Sequence, residues 1–145
     1  MTKQVRKFDG TTEAYSRKKL VAAISKDAEG LRVDVNKLVD RLEVGLHSGV
    51  TTDQIRRMVT VESNSLVSPT EPDWTLLAAR TTMQGISREV TGRIMFYPSL
   101  RDTIKRGVEE SNLHMDMLVL YEPYFAQLDA LIDAKSDMHF EYLGI

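Results

Sequence analysis

The sequence contains no cysteine. That excludes disulfides, thiolate metal sites and thiol or thiyl-radical chemistry within the chain. Histidine is scarce, and His47, His114 and His139 are scattered without metal-ligand spacing, so no metal site is expected. No apolar run approaches the ~20 residues of a membrane span. The opening Met1-Thr2-Lys3-Gln4-Val5-Arg6 has no apolar stretch behind it, so no signal peptide is expected and a cytoplasmic location follows. There is neither a P-loop nor a Gly-x-Gly-x-x-Gly run, so ATP hydrolysis is unsupported.

What is present describes a globular chain. Of 145 residues, 42% are hydrophobic and 28% charged, which suits one domain, or one and a half, with a modest core. The net charge is only −2, but its distribution is uneven. Residues 1–26 carry seven Lys/Arg against two Asp/Glu, and residues 109–145 carry eight Asp/Glu against one Lys. A basic front end suits an anionic ligand or partner.

Residues 3–8 and 11–15 read as short strands around Asp9-Gly10, a strong hairpin signal. Four helical segments follow. The first starts at an N-cap, Ser16, and exits at Gly30. The second starts at Asp34, buries Val35, Leu38, Leu42 and Leu46, and stops at Gly49. The third starts at Thr51 or Thr52, where Thr51 and Gln54 fit a capping box, and its apolar stripe is Ile55, Val59 and Leu66. The fourth follows Pro72 with Trp74, Leu77, Ala78, Met83, Ile86 and Val90, the Trp74 N–H expected to find a partner at the helix start. Beyond Pro98, one more helix is expected around Leu100, Ile104 and Val108, and another around Tyr124, Leu128, Leu131 and Ile132. The expected class is α+β, mainly helical: a small β-hairpin or sheet capping a compact four-helix unit, followed by a helical extension. The apolar ending Tyr142-Leu143-Gly144-Ile145 reads as an interruption rather than a finished domain.

The chemistry concentrates in Val5-Arg6-Lys7-Phe8-Asp9-Gly10 and the residues that follow to Leu20. The turn folds Lys7 back toward Lys19, and two ammonium groups near a helix N-terminus suit a polyphosphate. Glu13 could accept from an exocyclic amine, favouring adenine over guanine. On residues alone the segment is equally an ordinary polar hairpin with solvated lysines, the commoner outcome for charge runs. Register matters here. A strict two-residue loop pairs Phe8 with Thr11 and sets Lys7 and Glu13 on opposite faces. A three-residue loop ending at Thr11 pairs Lys7 with Glu13 on one face. Arg17-Lys18-Lys19 lacks the aromatic interleaving of a nucleic-acid patch, so no nucleic acid is expected as partner.

The pattern Val-x-Lys-x-Asp-Gly, then Tyr15, then Lys19-Leu20, resembles the opening of the ATP-cone found at the front of many ribonucleotide reductases. Gly49-Val50-Thr51-Thr52-Asp53-Gln54-Ile55 and Glu71-Pro72-Asp73-Trp74-Thr75-Leu76-Leu77-Ala78-Ala79-Arg80 resemble the starts of that family's third and fourth helices. Tyr97-Pro98-Ser99-Leu100 and the run Leu131–Tyr142 resemble its lead-in to the catalytic barrel. The resemblance implies residues 1–95 as an ATP-cone regulatory domain and 96–145 as the incomplete, helical beginning of the catalytic region of a class I large (alpha) subunit.

It further implies an allosteric role rather than catalysis: no catalytic residues, and ATP or dATP as effector with Mg²⁺ accompanying it. The partners implied are the remainder of the large subunit and the radical-generating small subunit, in a nucleotide-dependent oligomer without membrane involvement. Lys7, Lys19 and Arg88 would hold phosphates, Glu13 and Ser16 would face adenine, and Thr52 and Arg56 would complete the pocket. Ser16, Arg56, Arg88 and Phe8 stand where Asn, His, Lys and Arg are common in the family. These departures bear on how ATP and dATP are told apart. Two alternatives are a degenerate cone that serves as a protein-interaction module, and a transcriptional repressor, whose cysteine-rich zinc ribbon has no counterpart here.

Overall fold

The computed structural model describes residues 3–94, 97–133, 136 and 139–144. Several sequence readings touch positions outside the described residues: Met1-Thr2, the junction at Met95-Phe96, Ala134, Lys135, Asp137 and Met138 of the last family segment, and Ile145. The chain divides into two compact units. One comprises residues up to Ile86 together with the segment from 137 onward, and the other runs from Ser87 to Ser136.

In the first unit, β1 (Gln4–Arg6) and β2 (Thr12–Ala14) form an antiparallel hairpin, pairing Gln4 with Ala14, Val5 with Glu13 and Arg6 with Thr12. Both sequence registers are thereby corrected. The loop is Phe8-Asp9-Gly10: the Lys7 N–H donates to Thr11 O at 2.7 Å, and the Gly10 N–H to Lys7 O at 3.0 Å. Gly10 adopts φ +83°, and Asp9 Oδ1 accepts from the Thr11 N–H (2.9 Å) and hydroxyl (2.6 Å). A tight turn followed by a left-handed glycine is the usual three-residue hairpin solution, and it draws Lys7 and Thr11 out of the expected strands. A third strand, β3 (Val50–Thr51), pairs in parallel with β1, Val5 to Val50 and Arg6 to Thr51, giving the order β2-β1-β3. The sequence reading did not anticipate it.

The helices begin where their caps predict. For α1 (Arg17–Asp27), Ser16 Oγ accepts from the Lys19 N–H, and Gly30 (φ +77°) follows the exit. For α2 (Val35–Gly45), the Asp34 carboxylate accepts from the Asn36 and Lys37 N–H groups. For α3 (Thr52–Ser65), Thr51 and Gln54 form both bonds of the capping box. α4 (Trp74–Thr91) starts in the first unit, and its last turns belong to the second. The core gathers Ile24 of α1 and Ala28 just after it, Leu38, Val39 and Leu42 of α2, Val59 of α3 and Leu66 just after it, and Trp74 and Leu77 of α4. A smaller cluster of Val5, Leu46 and Val50 lies under the sheet. Leu20, Ile55 and Met58 pack against both clusters, so the sheet rests directly on the helices and the hairpin is not left alone in water.

Two apolar expectations differ. Ile86 and Val90 are exposed, because the buried stripe of α4 ends before them. The Trp74 side chain is fully buried, but its N–H has no hydrogen-bond partner among the described residues. It lies near enough to Glu71 to help lower that carboxyl's pKa, after the larger effect of Lys37, yet outside bonding geometry.

The second unit holds α5 (Leu100–Glu109), α6 (Asp116–Tyr121), a 3-10 turn at Glu122–Tyr124 and α7 (Phe125–Leu131). α6 was not expected. The Leu100 N–H donates to Asp129 Oδ1 at 2.7 Å, tying α5 to α7, and Ile104 and Phe125 are buried. Among the described residues no helix is long and apolar enough to cross a membrane.

Candidate functional site

The site is built where the hairpin meets the start of α1. Val5 and Glu13 are paired, so they share a face of the sheet, and Lys7, two residues beyond Val5, shares it too. That face is the one turned toward the helices, since Val5 is buried. Ser16 ends the strand-to-helix connection as N-cap and fixes the first turn of α1, which presents Lys19. The result is a three-member cluster. Glu13 Oε2 lies 2.9 Å from Lys7 Nζ and 2.8 Å from Lys19 Nζ.

Each charge acts on its neighbours' protonation. Hydrogen bonds from Lys19 and then Lys7 hold the Glu13 carboxyl below the usual carboxylate range. Glu13, by hydrogen bond and by charge, raises the Lys7 pKa. The cluster carries one net positive charge, with the carboxylate between the ammonium groups. Glu13 is also its least exposed member, at 32% of its side chain against 43% for Lys7 and 67% for Lys19.

Thr52 reaches the same end of the molecule by the parallel register. Arg6 pairs with Thr51, and Thr52 follows it as the first residue of α3. Arg56, one helical turn further, belongs to a second polar cluster. Its guanidinium pairs with Asp53 Oδ1 at 3.1 Å, only 13% of its side chain is exposed, and a methyl on Gly85 would stand 3.6 Å from its Cδ. Arg56 also lies near enough to Asp27 to favour its charged form. Arg88 occupies the late part of α4, within the second unit. The structure therefore gathers Lys7, Glu13, Ser16 and Lys19 at one point, places Thr52 directly after the Arg6–Thr51 pair, and sets Arg56 near Asp27.

Two polar networks escaped the sequence reading. In one, the Tyr15 hydroxyl donates to Glu43 Oε1 at 2.7 Å, Arg17 pairs with Glu43 and with Asp40 (2.7 Å), and Lys3 Nζ donates to Glu43 O. Burial, reinforced by Glu43, pushes the Tyr15 pKa up to about 12, and the Tyr15 and Arg17 bonds lower that of Glu43. This network ties the residue before β1 and the residue after β2 to α1 and α2. In the other, Gln84 donates to Asp27 Oδ1 at 2.7 Å, and Arg80 donates to the Asp27 and Glu29 carbonyls, both at 2.8 Å. Arg80 thus satisfies carbonyls at the end of α1 that have no helical partner. Burial raises the Asp27 pKa despite Gln84 and the nearby cations. Their sequence signal was weak, since the members lie tens of residues apart. In the second unit, an open groove of about 470 Å³ is lined by Arg101, Lys105, Leu118, Val119 and Glu122, none of them a residue singled out from the sequence.

Comparison with known proteins identifies relatives along most of the chain. The ATP cone domain family matches residues 3–89. The ribonucleoside-diphosphate reductase subunit alpha of Enterobacteria phage T4 is 30% identical over 140 residues, 95% of this chain and 18% of that protein. The ribonucleoside-diphosphate reductase large chain of Neurospora crassa is 30% identical over 150 residues, 97% of this chain and 16% of its own length. Large chain 2 of Saccharomyces cerevisiae is 30% identical over 88 residues, 59% of this chain and 10% of its own. The chain thus spans less than a fifth of the length of these curated relatives. With the family match covering the sheet and nearly all of α1 to α4, and with similarity to reductase large subunits along most of the sequence, the chain belongs to the ATP-cone domain family of ribonucleotide reductase large subunits.

Proposed function

We propose that this chain is a nucleotide-sensing regulatory domain that binds ATP or dATP and controls the activity of a class I ribonucleotide reductase through subunit assembly, without catalysing a reaction itself. The single observation that carries the reading is the convergence of Lys7 and Lys19 on one anionic group at the N-terminus of α1. A carboxylate held by two ammonium groups beside a capped helix start marks a point that also suits phosphate oxygens. Lys7 and Lys19 take the phosphates, Glu13 and Ser16 face the adenine, and Thr52 and Arg56 complete the pocket. Mg²⁺ travels with the triphosphate.

The regulatory domain occupies residues 1–95, with the sheet and α1–α4 as a four-helix cone, and residues 96–145 begin the catalytic region. Its partners are the remainder of the large subunit and the radical-generating small subunit, in the cytoplasm. Switching requires that ATP and dATP stabilise different assemblies, because a ligand shifts an equilibrium only by its differential affinity for the two states.

Calorimetric titration with ATP and dATP is the test. Saturable binding that is lost in Lys7→Ala and Lys19→Ala supports the reading, and retained binding in both variants refutes it. Size analysis with each nucleotide, with and without the small subunit, tests the switch: identical assembly in ATP and dATP removes it. One observation favours a second reading, a protein-interaction module without nucleotide binding: Glu13 already neutralises one of the two lysine charges. No binding at millimolar nucleotide selects that reading.

A further inference from the structure

We propose that Glu13 is an internal counter-anion that closes the lysine cradle, so that a phosphate chain enters only by displacing it and a base must recapture the carboxylate it frees. The inference rests on the nucleotide-sensor reading of the same site and adds its selectivity. Both lysine contacts fall on a single oxygen, Oε2, and among the described residues Oε1 takes no hydrogen bond. The carboxylate is therefore bound on one side and open as an acceptor on the other. Its backbone is fixed by pairing with Val5 in the middle of the hairpin, and the two ammonium groups end long flexible stems. The lysines move more easily than the carboxylate does.

When phosphate oxygens take Lys7 and Lys19, Glu13 loses both cations and stays beside a polyanion, which is unfavourable. A donor on the ligand restores its partner. The exocyclic amine of adenine supplies one at Oε1, whereas a carbonyl at that edge, as in guanine, presents acceptor to acceptor. A bare phosphate chain supplies nothing. The carboxylate thus makes base recognition a condition of tight phosphate binding rather than an independent addition to it. Removing the charge of Glu13 changes the net charge of the cluster from one positive to two and breaks this condition.

The experiment titrates inorganic tripolyphosphate and ATP into the full chain and into Glu13→Gln and Glu13→Asp, with circular dichroism confirming the fold. Glu13→Gln is expected to bind tripolyphosphate up to about tenfold more tightly, the span that two exposed ion pairs cover, and to lose most of the preference for ATP over tripolyphosphate. Glu13→Asp keeps the charge on a shorter arm and falls between. A folded Glu13→Gln with unchanged or weaker tripolyphosphate binding overturns the proposal, and so does an unchanged ATP preference. If the wild-type chain binds no ATP yet Glu13→Gln binds tripolyphosphate, the gate stands and the sensor reading falls. If neither protein binds either ligand, both fall.

Discussion

Replacing Thr51 by alanine tests how the sheet is joined to α3. Thr51 ends β3 and caps α3 at the same time: its hydroxyl accepts from the Gln54 N–H at 3.0 Å, and its own N–H donates to Gln54 Oε1 at 2.9 Å. Thr51→Ala removes the first bond and leaves the Gln54 N–H to water. Loss of such a cap costs about 1 kcal/mol, which in a domain of roughly 60–100 residues lowers the melting temperature by about 4–8 °C. Thr51→Ser keeps the oxygen and should recover most of that loss. Gln54→Ala removes the reciprocal bond, and because the two bonds hold one turn, the double variant should lose less than the two singles together. Thermal and urea unfolding followed by circular dichroism give all four values. A Thr51→Ala loss below about 0.3 kcal/mol, well under the range for such caps, or a serine variant no better than alanine, refutes the argument that this box fixes α3.

Three further outcomes follow from the geometry. Leu77→Ala, at a fully buried position in the core, should cost about 2–5 kcal/mol in urea unfolding; a smaller loss would mean the site collapses around the cavity. Spectrophotometric titration should find Tyr15 ionising at about 12, and Glu43→Gln should bring it down toward 10.0. Since the folded value lies above the unfolded one, this group stabilises the fold at lower pH and loses that contribution as pH rises from 10.0 to about 12. Asp27→Asn keeps the acceptor for Gln84 while removing a charge that burial disfavours. The raised pKa means the wild type gains relative stability as pH falls and Asp27 takes up a proton. The variant should therefore be the more stable at pH 7, with the gap closing in acid; a less stable variant at neutral pH contradicts this.

Local signals were legible and distant ones were not. Ser16, Asp34 and the Thr51–Gln54 pair marked helix starts correctly because a cap bonds within three residues of itself. The hairpin was visible from Asp9-Gly10, but its register depended on the left-handed Gly10 and on the bonds from Thr11 to Asp9, which fix where the turn sits and leave no trace in composition. β3 escaped because two residues, Val50 and Thr51, carry no periodicity, and their partner lies before two intervening helices. The Lys7–Glu13–Lys19 cluster could be anticipated from the fold-back of the chain and from family likeness. The Tyr15–Glu43–Arg17 network could not, since its members come from separate elements with no shared spacing.

The middle position of β1 has a consequence for the order in which the molecule is made. Its parallel neighbour, β3, emerges only after α1 and α2 have been synthesised, and closing so long a loop is slow relative to forming local structure. β1 therefore leaves the ribosome well before β3 and is secured on that side only after α1 and α2 have followed it. Until Val50 and Thr51 arrive, one edge of β1 has no strand to pair with.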